Sequence, residues 1–197
     1  MNGGLRLPEQ FAIDFVQISP GGRCCNGPFH ELRSWLFYRA PVLAAAGTAV
    51  EAVDNQSDQL PGPPQGTTID TAGGQHVIED IGGGCWVLHA HLRPGTVIVR
   101  NGETLRAGQQ LGEVGNTGST TAPHLHFQVM DRPSVLNAVG LPFVFDRQSI
   151  EGVVLGTPAQ AELDYEAGRA VRVDRQGVGS REDEMPAEGQ VFGFHLD

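Results

Sequence analysis

Residues 123–130 read PHLHFQVM, and this stretch carries most of the information about both the fold and the site. The run is strongly strand-like, and successive side chains of a strand point to opposite faces of a sheet. His124 and His126 therefore share one face, while Leu125 and Phe127 enter the core. The sequence predicts a β-strand that presents two imidazoles on a single surface.

The same alternation occurs in two earlier segments. Residues 88–92 read LHAHL, which predicts that His89 and His91 line one face and that their apolar neighbours line the other. Residues 11–16 read FAIDFV, so the alternating apolar residues Phe11, Ile13 and Phe15 face a core and Asp14 points away from it. Four histidines and one aspartate are thus expected on the polar faces of three strands.

The rest of the chain favours an all-β domain. With 27 glycines and 13 prolines, the runs between turns are too short for long helices. Residues 76–80 and 84–92 predict a hairpin, and the proline-rich residues 54–66 predict an exposed loop that borders a groove. Residues 31–38 fit a short helix or an irregular segment.

The C-terminal part has a weaker pattern. We predict one domain over residues 1–150 and a C-terminal extension of β-strands and loops over residues 151–197. Within the extension, residues 170–173 and 190–196 fit terminal strands, and residues 177–186 fit a polar, mobile loop.

The composition excludes some functions. The net charge of −10, from 23 acidic and 13 basic residues, disfavours binding to nucleic acid. The sequence contains no stretch of about 18 apolar residues, the length needed to span a bilayer. The first four residues, MNGG, lack the features of a signal peptide, so a truncated start is our expectation.

The three cysteines do not form a recognised pattern. Cys24 and Cys25 are adjacent and Cys85 stands alone, which fits neither a zinc ribbon nor a dense disulfide framework. They are expected to be small buried or loop residues, with a structural pair as the alternative. The tryptophans and the phenylalanines at 143 and 145 are expected to pack in the core or a groove.

The histidine pairs and the aspartate favour a metal site. Neutral imidazole is a good zinc ligand, and a catalytic zinc needs about three protein ligands and an open position for water. A single His-x-His on a strand is weak evidence, but a second pair and an aspartate strengthen it.

Seven short segments also occur in the order typical of one enzyme family, the LytM or lysostaphin-type endopeptidases. They are AIDF at 12–15, APV at 40–42, GTAV at 47–50, HAHL at 89–92, GQQLGEVG at 108–115, TG at 117–118 and PHLHF at 123–127. The chain resembles this family from residue 10 to about residue 130. The resemblance implies a single all-β domain of antiparallel sheets, of the duplicated hybrid motif type, with a groove bordered by loops.

The resemblance also implies residue roles. Asp14 and His126 correspond to zinc ligands, and His91 and His124 correspond to the catalytic pair that holds and polarises the attacking water or the scissile carbonyl. The implied function is zinc-dependent hydrolysis of peptide bonds in bacterial cell-wall peptidoglycan, without a covalent intermediate, outside the cell or in the periplasm. It does not imply an oligomeric state.

One position departs from the family pattern. The remaining zinc ligand of the family is a histidine four residues before the aspartate, and this chain has Gln10 there. Gln10 itself or His89 could substitute, or His30 or His76 could approach from a loop.

Two other functions remain open from the sequence. One is a degenerate relative that binds wall peptide or regulates another wall hydrolase without cutting. The other is a cytoplasmic β-domain whose histidines are incidental.

Overall fold

The structure, a computed structural model, describes residues 9–193. The strands are β1 (Ile13–Phe15), β2 (Pro41–Leu43), β3 (Gly47–Val53), β4 (Gln75–Gly82), β5 (Cys85–Leu92), β6 (Thr104–Leu105), β7 (Gln110–Glu113), β8 (Leu125–Met130), β9 (Gly140–Leu141), β10 (Phe145–Val154), β11 (Val173–Asp174), β12 (Gly179–Glu184) and β13 (Gln190–Gly193). One α-helix, α1, spans Pro158–Glu166, and short 3₁₀ turns occur at Leu32–Ser34 and Ile69–Thr71. The predicted all-β class with antiparallel sheets is confirmed.

The largest sheet is antiparallel, with strand order β1-β8-β5-β4-β3-β6 and with β9 paired to β8. Its central hairpin joins β4 to β5, as predicted. Gly82, Gly83 and Gly84 turn the chain there with φ values of 85°, 65° and 77°. Glycine reaches this left-handed region without steric cost, so these three residues allow the tight return.

Each face of the large sheet has its own apolar cluster. Ile78, Leu88, Ala90, Met130 and Ala138 form one cluster. On the opposite face, Val87, Phe127 and Val129 pack with aromatic residues. His126 pairs with Ala90, so it lies on the face of the first cluster.

The C-terminal strands form a second sheet, with order β11-β10-β12 and with β13 also paired to β10. The predicted domain boundary at residue 150 falls inside β10. The second sheet lies against the first, since the rings of Phe145 and Phe192 are 6.4 and 6.2 Å from that of Phe15.

Several predicted C-terminal elements differ from the structure. The predicted loop at residues 177–186 is wrong, because β12 forms there and pairs with β10 despite its polar sequence. Only Val173 of the predicted strand at residues 170–173 is in a strand. Residues 190–193 are in β13, while residues 194–197, like residues 1–8, lie outside the described part of the chain.

Helix α1 was not predicted, although its start signal is present in the sequence. The Thr157 hydroxyl oxygen accepts a hydrogen bond from the backbone N–H of Gln160, and Pro158 occupies the first turn. Both are favoured at helix N-termini. Within residues 9–193 no helix is long and apolar enough to cross a membrane.

The prediction that the large apolar residues of residues 11–16 face a core is correct for Phe15 but wrong for Phe11. Phe15 packs against Phe127, whereas Phe11 has φ 62° in the preceding turn and is 39% exposed. The cysteines are free, with Cys24 and Cys25 buried beside Trp35.

We predict that Ile78→Ala lowers the free energy of unfolding by about 2–5 kcal/mol, because it removes a buried side chain and leaves a cavity. Ile78 lies on β4 and its side chain is fully buried in the first apolar cluster. The matched control is Ile98→Ala, since Ile98 is 65% exposed and its truncation should change stability by less than about 0.5 kcal/mol. Urea denaturation measures both, and equal losses would show that this cluster is not a core.

Candidate active site

Two distant segments meet where β1 pairs with β8. The antiparallel register places Asp14 opposite His126. The Asp14 Oδ1 atom lies 2.9 Å from His126 Nδ1 and 3.6 Å from His124 Nε2. The structure therefore brings together the aspartate and both histidines of the PHLHF motif.

His91 joins this group by an irregular backbone. Its ring centroid lies 4.6 Å from that of His124 and 5.8 Å from that of His126. Regular alternation would direct its side chain to the other face of β5. His91 instead has φ 62°, a conformation that non-glycine residues rarely adopt. Such outliers are held in place by their surroundings and concentrate at functional sites.

The prediction that His89 and His91 share one face is wrong for this reason. His89 pairs with Phe127 across the strands, and the two ring centroids are 5.3 Å apart. Its Nε2 atom is 2.8 Å from Oε1 of the buried Glu79. His89 therefore lies on the opposite side of the sheet and is not placed to substitute for a zinc ligand.

The His91 imidazole is oriented by a backbone carbonyl. Its Nδ1–H donates to the Thr117 carbonyl oxygen at 2.7 Å. Thr117 is itself fixed, because its hydroxyl donates to the Leu92 carbonyl oxygen and accepts from the Gln75 N–H. With the proton on Nδ1, the Nε2 atom of His91 is left as a lone-pair acceptor.

His124 is oriented in the same way. Its Nδ1–H donates to the Ala122 carbonyl oxygen at 2.8 Å, with the Thr120 hydroxyl 3.2 Å from the same nitrogen. The Nε2 atom, which faces Asp14, is therefore also an acceptor.

The proline-rich loop supports the segment that precedes His124. The Asn116 N–H donates to the Asp58 carboxylate, and the Gln59 side-chain amide donates to the Gly118 carbonyl oxygen. The Gly62 N–H donates to the Thr121 carbonyl oxygen. The loop predicted at residues 54–66 thus holds in place the chain that orients both His91 and His124.

His126 has the reverse tautomer preference. Its Nε2 atom lies 3.0 Å from the side-chain oxygen of Gln128, which can only accept, so the proton resides on Nε2. In the neutral ring, Nδ1 then presents a lone pair to the Asp14 carboxylate. Two acceptors at 2.9 Å require a cation between them, either a proton or a metal ion.

Gln128 was missed by the sequence analysis, although a signal was available. It lies two residues after His126 in a strand, so it faces the same way. Gln128 is buried, and its oxygen is directed at the imidazole.

The pKa values follow from this arrangement. Partial burial acts to raise the pKa of Asp14, but its hydrogen bond with His126 and the nearby imidazoles outweigh it and lower the pKa to about 2. Burial, together with the neighbouring histidines, lowers the pKa of His91 to about 3. Burial also lowers the pKa of His124. At neutral pH these two rings are therefore uncharged.

The pKa of His126 shifts the other way. Burial opposes protonation, but the hydrogen bond and charge of Asp14 and the hydrogen bond to Gln128 raise its pKa above the usual value. The charge of Glu9, another residue that the sequence analysis missed, acts in the same direction. Of the three imidazoles at the site, His126 is thus the one whose surroundings most favour a positive charge.

The third predicted ligand position, Gln10, makes no recorded contact with this group in the described part of the chain. Gln10 lies in the exposed turn before β1, where its backbone packs against Gly140. His30 is exposed in a turn, and His76 lies on β4 beside Glu51. Within residues 9–193, no three His, Cys, Asp or Glu side chains are arranged as a metal site. Asp14 and His126 thus form two donors of a site whose third donor would come from another group.

The chain belongs to Peptidase family M23, whose family model matches residues 37–138, just over half of the chain. The match includes His91, His124 and His126, while Asp14 lies before it. The sequence-based recognition of this family is confirmed.

Individual relatives are more distant. The chain is 30% identical over 89 residues to the peptidoglycan DD-endopeptidase ShyA of Vibrio cholerae, covering 39% of this chain and 20% of that protein. It thus spans about a fifth of the length of this curated relative.

The chain is also similar to solved structures. The catalytic domain of lysostaphin from Staphylococcus simulans is 26% identical, with a TM-score of 0.39, covering 59% of this chain and 84% of that one. A zinc-containing peptidase from Vibrio cholerae is 21% identical, with a TM-score of 0.37, covering 52% and 26% respectively.

We predict that Gly74→Ala destabilises the protein and displaces His91. Gly74 has φ 60°, and an added Cβ would overlap Thr117, whose carbonyl oxygen orients His91. The control is Gly95→Ala, because Gly95 has φ 70° with open space around it, so both variants share the cost of about 1–2 kcal/mol for left-handed alanine.

Gly74→Ala should cost about 1–3 kcal/mol more than the control, since the clash is an overpacking effect. Urea denaturation measures the difference, and the ¹⁵N spectrum of the imidazoles reports the displacement. Equal stability of the two variants would show that the close contact between Gly74 and Thr117 is unimportant.

Proposed function

We propose that this protein is a zinc-dependent endopeptidase that hydrolyses peptide bonds in bacterial cell-wall peptidoglycan. The observation that carries the proposal is the group formed by Asp14, His91, His124 and His126. Three imidazoles, each oriented by a hydrogen bond on its far nitrogen, present lone pairs beside one carboxylate.

Two members of this group, Asp14 and His126, are suited to bind a metal ion. Carboxylate oxygen and neutral imidazole nitrogen are both zinc ligands, and a catalytic zinc keeps a position open for water. Asp14 and the Nδ1 atom of His126 would hold the ion. Gln128 would support His126 through Nε2, because an acceptor on that nitrogen fixes the tautomer and strengthens the imidazole as an electron-pair donor to the ion. When bound, zinc supplies Lewis-acid polarisation of a carbonyl and lowers the pKa of water.

His91 and His124 would handle the proton. Both rings are neutral, with Nδ1–H held by a backbone carbonyl, so each has a free Nε2 to accept a proton from the attacking water. The Thr117 and Ala122 carbonyl oxygens would then stabilise the imidazolium that forms. Proton transfer by a positioned histidine contributes about 10²–10⁴-fold to rate.

The substrate and location rest on the family and its relatives. The relative from Vibrio cholerae is named as a peptidoglycan endopeptidase. We extend that substrate class, a wall peptide, to this chain, together with an extracellular or periplasmic location. We also retain the expectation that nucleic acid is not a partner.

The test of the metal site is zinc content, measured by elemental analysis on protein purified without an affinity tag. We expect about one zinc per chain in the wild type, and loss of the metal in Asp14→Ala and in His126→Ala, because each removes a donor. Glu162→Gln is the control, since Glu162 is exposed on α1. Retention of zinc in either ligand variant would contradict the proposed site.

Gln10→His distinguishes the enzyme from a degenerate relative. Imidazole is a better zinc ligand than a neutral amide, so this variant should bind zinc more tightly than the wild type. If only Gln10→His binds zinc and digests peptidoglycan, the natural chain is a wall-binding or regulatory relative.

We predict that His91→Ala and His124→Ala keep zinc but lose at least about 100-fold in the rate at which peptides are released from purified peptidoglycan. New amino termini in the digest would identify the bond cleaved. Glu162→Gln should retain the wild-type rate. A zinc-loaded wild type that binds peptidoglycan without releasing peptides would refute the proposed activity, and undiminished release by both variants would refute their role.

A further inference from the structure

A cavity of about 390 Å³ lies beside the candidate active site. It lies between β3, β4 and the 3₁₀ turn at Ile69–Thr71. Its lining includes Glu51, Asp70, Gly73, His76 and Val135. His76 pairs with Val53, and it lies two residues before Ile78 on the same strand, so the two side chains share a face. Ile78 belongs to the cluster on the His126 face, so the cavity is on that face too.

His76, one of the lining residues, has a nitrogen with no hydrogen-bond partner in the described part of the chain. Its Nδ1–H donates to the Gly74 carbonyl oxygen at 2.9 Å, which leaves Nε2 as a lone-pair acceptor in the neutral ring. The residue is only 9% exposed, and Nε2 is buried with no hydrogen-bond partner among residues 9–193. Buried polar atoms of this kind are rare and call for an explanation.

Glu51 places a carboxylate next to that nitrogen. Its Oε1 atom is 3.6 Å from His76 Nε2, which is beyond direct hydrogen-bond distance. The Glu51 side chain is 46% exposed, so a ligand can reach it. A single donor group with several hydrogens could sit about 2.9 Å from both atoms and satisfy them together.

The remaining groups at the cavity also favour a positively charged donor. Asp70 adds a second carboxylate, and no lysine or arginine is among the lining residues. One of the two side-chain N–H groups of Gln56 is already used, since it donates to the Thr71 carbonyl oxygen. A primary ammonium, with three donors and one positive charge, matches this set of acceptors.

The cavity shares a wall with the active site. The Gly73 carbonyl oxygen accepts a hydrogen bond from the His91 N–H, and Gly74 packs against Thr117. His76 on β4 and His126 on β8 are separated by β5, so the two positions are about 10 Å apart across the strands. An extended peptide covers that distance in about three residues.

We propose that this cavity binds a primary ammonium group of the substrate, carried about three residues from the bond that is cleaved. The inference rests on the proposed function for the identity of the substrate as a wall peptide. His76 Nε2 and the Glu51 carboxylate each accept one hydrogen bond from the ammonium, while its charge is balanced by Glu51 and Asp70.

The first test measures binding without catalysis. The probe is Nα-acetyl-lysine N-methylamide, added to the full chain with ¹⁵N-labelled histidine, and the His76 signal is identified by its loss in His76→Gln. We expect the probe to shift the His76 Nε2 resonance and the Nε-acetylated analogue to leave it unchanged. Glu51→Gln should weaken binding at least fivefold, and Glu162→Gln, on exposed α1, should not.

Two results would overturn the proposal. One is an equal response to the two probes, or no response to either at millimolar concentration. The other is a shift of His76 produced by zinc salt but not by the lysine probe, which would make the cavity a second metal site. Because this measurement needs no peptide cleavage, it stands even if the proposed enzymatic activity fails.

The second test uses the substrate. Purified peptidoglycan is compared with the same material after its free amines are acetylated with acetic anhydride. The wild type and Glu162→Gln should have a KM at least fivefold higher on acetylated wall, with little change in kcat. Glu51→Gln should have that higher KM on both materials. If Glu51→Gln and acetylation of the wall each raise KM and the two increases multiply when combined, the two changes act at separate places. That result would overturn the inference.

Discussion

The contact between Asp14 and His126 is the interaction on which the site depends. The two residues are 112 positions apart in sequence and meet only because β1 pairs with β8. β1 has three residues, so its own hydrogen bonds are few. Its position is instead secured by Phe15, which packs with Phe127, Phe145 and Phe192. The aromatic contacts on one face of β1 thus fix the carboxylate on the other.

This dependence gives the C-terminal region a structural role. Phe145 lies on β10 and Phe192 on β13, both in the second sheet. The part of the chain that looked appended in the sequence therefore covers the strand that carries Asp14. Loss of these rings would leave the apolar face of β1 exposed and so weaken the pairing that positions the carboxylate.

Much of the fold and site could be predicted because the informative strands are regular. Alternation in residues 123–130 placed His124 and His126 together, and the glycines at 82–84 marked the hairpin. The exception is His91. A period of two assumes ordinary strand dihedrals, and nothing in LHAHL indicates a left-handed residue. Its neighbours impose that conformation through the Gly73 and Thr117 carbonyl oxygens, which come from distant loops.

The misplaced elements have a related cause. Strand β12 is polar because it lies at the edge of the small sheet, so its formation depends on pairing with the central strand β10 and not on a hydrophobic pattern. Gln128 and Glu9 were overlooked because their importance comes from proximity to His126 and not from any motif. Local pattern identifies donors, whereas the partners that orient them come from tertiary structure.

Thr117 connects the parts of the site into one unit. Its carbonyl oxygen holds His91, its hydroxyl bridges Gln75 and Leu92, and its backbone leaves no room for a side chain at Gly74. Gly73 and Gly74 are at the same time the wall of the cavity that contains His76. A group bound in that cavity would therefore press on the same backbone that sets the His91 ring. If the cavity binds a substrate group as proposed, that binding would act through Gly73 and Gly74 on the orientation of the imidazole proposed to accept the proton.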